Sequence, residues 1–301
     1  MEKRLLMLKY FVKIIILCFV ILLQISLGAN AGINEVFLNS TVLVSYKTSS
    51  KKMKYGSGFL ITKASDTFFI TSKHLIPSTN DFKSFSIRIS VVKNNEMPKV
   101  NIIEIPIFED DNSYFSYVKM HPDKNVDVAA IDVTKFIKER DIKDKLLSER
   151  NFGTKNKLKA ENITIGDEIF LLGYPQYFFD KRNNFPILRQ GVIATFLQDG
   201  YVFNDISRKK YGLPSKLNGF LIDANVFSGS SGSQVILKPQ LGLVKPDGSI
   251  SFGAKKRTPY LLGIVSKSIP TDELGRLERM GLGIVYSIET IQEVIAEFYK
   301  E

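Results

Sequence analysis

An all-β chain is what this sequence predicts, folded as a sandwich or as barrels. Two observations carry that expectation. Short runs rich in β-branched and aromatic residues recur along the chain, and turn residues separate them at spacings too tight for a strand–helix–strand rhythm. In order the runs are 42–46, 58–61, 68–71, 85–89, 102–105, 114–118 and 128–133, then 169–172, 192–196, 220–222, 235–237, 261–265 and 283–285. Between the two groups, residues 134–159 are rich in charge and read as a partly helical connection. It separates two strand-rich halves, 32–150 and 151–301. At the end, Ile288, Ile291, Val294, Ile295 and Phe298 recur at helical spacing. They predict a terminal helix over 287–300 with Ser287 as its N-cap.

The chain opens with Glu2, Lys3, Arg4, Lys9 and Lys13, then an apolar stretch over 14–23 and small residues ending Gly28-Ala29-Asn30-Ala31. A basic start, an apolar centre and an Ala-x-Ala site match a secretory signal peptide, residues 1–31, cut after Ala31. The apolar centre is shorter than the roughly 20 residues that span a bilayer. Reading 11–27 as one segment gives the alternative, an uncleaved N-terminal membrane anchor. Cys18 is the one cysteine, so the mature chain carries no disulfide and no cysteine-held metal, and neither a metal nor a cofactor is expected. Export without disulfides points to a bacterial periplasmic or extracellular location. Net charge is +10, and removing the four cations and one acid of the first 31 residues leaves +7. Such a surface suits anionic envelope polymers. No clustered Lys/Arg with interleaved aromatics marks a nucleic-acid partner.

The stretch with the most chemistry in it is Phe227-Ser228-Gly229-Ser230-Ser231-Gly232-Ser233, set between two apolar runs. A Gly/Ser-rich surface turn has this composition. So has a turn that presents a serine nucleophile, with Gly229 and Gly232 allowing close backbone approach and the N–H groups of Gly229 and Ser231 aimed at a developing oxyanion. A serine nucleophile needs a base that titrates near neutrality, and histidine supplies one. The chain has two. His74 sits where the apolar run 68–71 meets a loop; a structural role in capping that turn is the alternative. His121, in His121-Pro122-Asp123, reads as a loop residue. Asp127 opens a small-residue apolar strand and is placed to hold an imidazole. Asp132 points to the opposite face of that strand, and Asp123 is the fallback.

Four motifs occur in order: Gly56-Ser57-Gly58-Phe59-Leu60-Ile61, Thr71-Ser72-Lys73-His74, Asp127-Val128-Ala129-Ala130-Ile131, and Asp223-Ala224-Asn225 leading to Gly229-Ser230-Ser231-Gly232-Ser233. Together they resemble a trypsin-like serine peptidase of the chymotrypsin fold, closest to the disulfide-free bacterial branch of HtrA/Do and glutamyl-endopeptidase-like proteins. The order His, Asp, Ser is the one that fold uses. The resemblance implies two antiparallel β-barrels, His74 and Asp127 in the first and Ser231 in the second, with a C-terminal helix outside. It implies a serine endopeptidase with His74 as base, Asp127 as orienting carboxylate, Ser231 as nucleophile, and Gly229 and Ser231 N–H as oxyanion hole. The substrate is then a protein or peptide, bound along Ser266, Lys267 and Ser268 by strand addition, with Ser266 beside the buried aspartate and Asn225 at the base of the primary specificity pocket.

This sequence departs from the pattern at Ser230, where Asp or Asn is usual, at Ser233-Gln234 in place of Gly-Pro, and at Lys73. Ser233 puts a side chain behind the nucleophile turn. Asn225 in place of an acid gives no basis for cleavage after Arg or Lys, while Lys267 points toward acidic substrates. A catalytically inactive binding module of the cell envelope, keeping the same cleft, is the alternative reading.

Overall fold

The computed structural model of the chain describes residues 35–48, 50–77, 85–91, 99–111, 113–137, 145–244, 250–271 and 278–300. The predicted signal segment, with Cys18 and the cleavage site, lies outside them. The chain divides into a main body, Ile33–Lys238 with Thr258–Glu301, and a second unit that groups Met1–Gly32 with Pro239–Arg257.

In the main body, helix α1 (Glu35–Ser40) leads into β1 (Thr41–Lys47), β2 (Met53–Lys63), β3 (Asp66–Thr71), β4 (Phe85–Val91), β5 (Lys99–Ile105), β6 (Val118–Met120), β7 (Ala129–Asp132) and the short β8 (Leu147–Ser148). These form one eight-stranded sheet in the order β5-β4-β1-β2-β3-β7-β6, with β8 parallel to β2. Among the described residues β5 and β6 are not paired, so that sheet is an open path. After helix α2 (Lys155–Ala160) come β9 (Glu168–Gly173), β10 (Ile187–Ile193), β11 (Tyr201–Val202), helix α3 (Asp205–Tyr211), β12 (Lys216–Leu217), β13 (Gly219–Asp223) and β14 (Gln234–Leu237). The hairpin of β15 (Gln240–Val244) and β16 (Ile250–Arg257) belongs to the second unit. The chain ends with β17 (Leu261–Thr271), β18 (Glu278–Ser287) and helix α4 (Ile288–Ala296). Six strands close a barrel in the order β10-β13-β18-β17-β14-β9. Strands throughout, a closed antiparallel barrel and a terminal helix are the expected all-β class.

The apolar runs explain the layering. A strand with one solvated face alternates apolar and polar residues, but β2 reads Phe59-Leu60-Ile61 and β3 reads Phe68-Phe69-Ile70 without interruption. Both faces are buried, each in a different core. Phe59, Ile61, Phe68 and Ile70 join a central cluster with Leu172, Ile236, Ile264 and Ile291, while Leu60 and Phe69 face the first sheet's interior with Val42, Val44 and Ile87. The barrel repeats the device: Phe170 and Leu172 of β9 face the central cluster, and Ile169 and Leu171 fill the barrel. Fully burying each such side chain contributes about 1.5–3 kcal/mol. The two sheets are thereby welded through one shared core.

α4 buries Ile288, Ile291, Val294 and Ile295, the predicted face, and Phe298 packs on the Phe68 ring at 5.0 Å. Ser287 holds the N-cap position with extended dihedrals, but its side chain makes no capping bond. The predicted strand over 114–118 does not form as such. Phe108 stacks on Tyr114 and Phe115 on Tyr117, and the Val118 N–H bonds the Phe115 carbonyl. Local aromatic stacking turns the chain before β6 begins.

Candidate active site

The connection from β13 to β14 carries Ser231, and its backbone is tightly specified. Gly229 and Gly232 have φ of 85° and 86°, the left-handed region that glycine occupies without penalty. A Cβ at Gly232 would sit 1.8 Å from the Ser57 carbonyl oxygen, and one at Gly229 2.6 Å from that of Tyr174. The Ser228 carbonyl accepts the Gln176 N–H at 2.6 Å, and the Ser230 carbonyl accepts the Ser233 N–H at 3.0 Å. A trans peptide points its C=O and N–H in opposite directions, so these two bonds turn the N–H groups of Gly229 and Ser231 the other way. Among the described residues neither donates to a protein acceptor, whereas the N–H groups of Ser230, Gly232 and Ser233 all do.

Ser57 of β2 is the residue that holds this turn from outside. Fully buried, it donates its hydroxyl to the Gly229 carbonyl at 2.8 Å and accepts the Tyr174 N–H at 2.8 Å. Its own N–H reaches the Ser231 carbonyl at 2.9 Å, and its carbonyl accepts the Thr71 hydroxyl. The motif Gly56-Ser57-Gly58 was visible in the sequence, but nothing in it distinguished this serine from a turn residue. Ser233 finds room because residue 173 is glycine: a Cβ there would lie 1.9 Å from the Ser233 hydroxyl. Gln234, buried, donates to the Phe37 carbonyl and the Thr41 hydroxyl and anchors α1 and β1 beside the barrel.

His74 lies on a single turn of 3-10 helix, Lys73–Leu75, directly after β3. Asp127 immediately precedes β7, which pairs with β3, so neighbouring strand ends bring the two together. Asp127 Oδ1 accepts the His74 backbone N–H at 2.9 Å and Oδ2 meets the ring Nδ1 at 2.7 Å. Burial alone would raise the Asp127 pKa; the bonds and charge of the His74 ring, with bonds from Ser266 and the His74 backbone, outweigh it and hold the carboxyl below its ordinary value. An ionised carboxylate only accepts hydrogen bonds, so Nδ1 carries a proton, and in the neutral ring Nε2 then presents a lone pair.

Ser266 joins this pair to Ser231. It is the extra residue at a bulge in β17, between the pairs Val265–Val285 and Lys267–Ile284, and bulges re-aim side chains. Its hydroxyl donates to Asp127 Oδ2 at 2.5 Å. Its carbonyl accepts the Ser231 hydroxyl at 2.7 Å. No hydrogen bond joins that hydroxyl to the His74 ring. Ser72 adds a further tie, donating to the Val265 carbonyl.

The remaining residues singled out in the sequence fall as follows. His121 is buried, its Nε2 2.8 Å from Glu293 of α4 and its Nδ1 accepting the Asp123 N–H. Asp123 and Asp132 accept backbone N–H groups of Asn125 and Thr134 in turns. Asn225 is exposed. Lys267, with Lys124, Leu213 and Tyr286, lines a cavity of about 480 Å³ that also contains His74, Asp127 and Ser266; Ser268 follows on β17. Lys124, Leu213 and Tyr286 were not anticipated, since only the fold brings their segments together. Among the described residues no group of three or more His, Cys, Asp or Glu is placed to hold a metal, and no helix is long and apolar enough to cross a membrane.

No protein-family model and no curated protein matches this sequence. Solved structures do. The serine endoprotease from Yersinia pestis is similar with a TM-score of 0.45 and 16% identity, over 87% of this chain and 64% of that one. The chain thus spans less than two thirds of that protein's length. Rv3671c from M. tuberculosis H37Rv is similar in an inactive mutant form, with a TM-score of 0.44, 17% identity and coverage of 87% and 89%. The Rv3671c protease in its inactive form gives 0.42, 17%, 86% and 89%. Neither protein singles out the HtrA branch. Nothing about activity transfers at such identities.

Proposed function

We propose that this chain is a serine endopeptidase that cleaves peptide bonds through Ser231, His74 and Asp127. The observation that carries the reading is the double bond pattern of Ser266, which links the Asp127-held imidazole and the Ser231 hydroxyl through one residue. In the reaction the hydroxyl rotates from the Ser266 carbonyl to His74 Nε2, gives up its proton there and attacks the substrate carbonyl. The acyl-enzyme forms as His74 returns that proton to the leaving amine, and water repeats the sequence in reverse. Asp127 stabilises the imidazolium. The unpaired N–H groups of Gly229 and Ser231 receive the oxyanion.

An extended substrate supports the rotation. Among the described residues no strand pairs with Ser266 or Lys267 on the side of β17 that β14 occupies up to Ile264, while Lys267 pairs with Ile284 of β18. A substrate strand added there offers an N–H to the Ser266 carbonyl, and the Ser231 hydroxyl loses its resting acceptor.

The test is covalent labelling of purified protein by a fluorophosphonate probe, with the modified residue located by mass spectrometry. Labelling at Ser231, absent in Ser231→Ala, is the expected result, with a loss on the order of 10⁶ in kcat for that variant. Saturable peptide binding without labelling would instead make the chain the inactive binding module. We further propose that residues 1–31 direct export to a bacterial periplasm or medium; N-terminal sequencing of exported protein is expected to begin at Gly32, and retention of the segment would make it an anchor.

A further inference from the structure

We infer that the cavity beside His74 is a subsite for a carboxylate-bearing substrate residue, within about two residues of the scissile bond; the inference rests on the peptidase reading above. Two lysines reach this cavity from separate elements, Lys124 from the loop between β6 and β7 and Lys267 from β17. Both are exposed, and among the described residues neither is in an ion pair. The acid in the cavity wall, Asp127, is already committed to three donors: the His74 N–H, the His74 ring and the Ser266 hydroxyl. Asp123, on the same loop as Lys124, accepts the Asn125 N–H and does not line the cavity. The Tyr286 phenol donates to the Asn125 carbonyl at 2.6 Å.

Leu213 and Ile284 supply apolar wall. That lowers the local dielectric and strengthens attraction between the two ammonium groups and an entering anion. A basic side chain would meet two like charges in the same space. The location follows from β17: Ser266 binds Ser231, and Lys267 is the next residue on the strand along which the substrate is proposed to add. Substrate side chains alternate with a period of two, so one near the reacting carbonyl falls over the cavity.

The experiment uses the mature protein and a set of internally quenched peptides in which Glu, Ala or Lys is scanned across the positions flanking the cleaved bond. Active enzyme is counted by probe labelling of Ser231. At one position Glu is expected to raise kcat/KM about five- to tenfold over Ala, with Lys lowering it, since each exposed ion pair is worth up to about fivefold. The advantage shrinks as salt is raised. The double variant Lys124→Glu/Lys267→Glu, its active fraction counted on a separate sample, is expected to invert the order of Glu and Lys at that position. Equal turnover of Glu and Lys peptides at every position, by a preparation of which a separate sample labels at Ser231, would overturn the subsite and leave the peptidase reading standing. So would a preference unchanged by the double variant. Absence of both labelling and cleavage would remove the peptidase reading and the subsite with it.

Discussion

Ser57 and Ser266 are small, uncharged and distant in sequence from Ser231, yet each makes two bonds that the proposed chemistry depends on. Replacing Ser57 by Ala leaves the Gly229 carbonyl without its donor and the Tyr174 N–H without its acceptor in a buried place. Leaving such groups unsatisfied costs about 1–3 kcal/mol each. The turn relaxes where the oxyanion is to bind, so a loss of at least about tenfold in kcat is expected, with KM less affected; steady-state kinetics on folded Ser57→Ala protein check it. Gly232→Ala is more severe, because its Cβ collides with the Ser57 carbonyl at 1.8 Å and φ is positive. Complete loss of Ser231 labelling is expected. His74, Asp127 and Ser231 could be singled out from sequence because two histidines leave few combinations and the glycines mark the turn. Ser57 could not, since its partners arrive from residues 174, 229 and 231. The resemblance seats Ser266 beside Asp127, but not the bulge that puts it there, since one extra residue in a strand leaves no trace in an apolar pattern.

Helix α4 shows what a clear periodicity conveys. Its five spaced apolar residues announced both the helix and its buried face, and the face packs on the core shared by the two sheets. Ile291→Ala is expected to cost about 2–5 kcal/mol, read as a lower denaturant midpoint with an unchanged slope. The helix has a second grip that the pattern did not contain. His121 Nδ1 accepts the Asp123 N–H, so its Nε2 carries the proton that Glu293 receives. The loop leading to Asp127 is thereby fastened to the terminal helix. The runs at 58–61 and 68–71 were legible as strands for a similar reason, although their missing polar alternation disclosed burial on both faces without saying against what. The run at 114–118 misled because stacked aromatic pairs satisfy the same residues within a turn.

Across the whole molecule, titration leaves two opposite marks. The Asp127 pKa is lowered in the folded chain, so its contribution to stability is present above the unfolded value of about 3.9 and is lost as pH falls through the lower folded value. In Asp127→Asn that part of the acid slope should vanish, as thermal unfolding across pH measures. Tyr286 is pushed up to about 12, first by burial and then by the Asp127 charge. Its stabilisation is full below about 10 and disappears as pH rises through about 12; Tyr286→Phe should flatten that alkaline limb. A sandwich or barrels could be expected from strand spacing and two barrels from the resemblance, while the closure of the second and the open path of the first depend on pairings between residues far apart in sequence.

Those long-range pairings determine when the proposed site is complete. His74 and Asp127 belong to the first sheet, Ser231 to the barrel, and the Ser57 latch crosses from one to the other. A nascent or half-threaded chain that lacks its later residues has an imidazole with nothing to activate, and a detached barrel has a hydroxyl with no proton acceptor. On the proposed peptidase reading, cleaving capacity therefore arrives all at once, when the last strands dock, and a cell making this protein is shielded from it throughout synthesis.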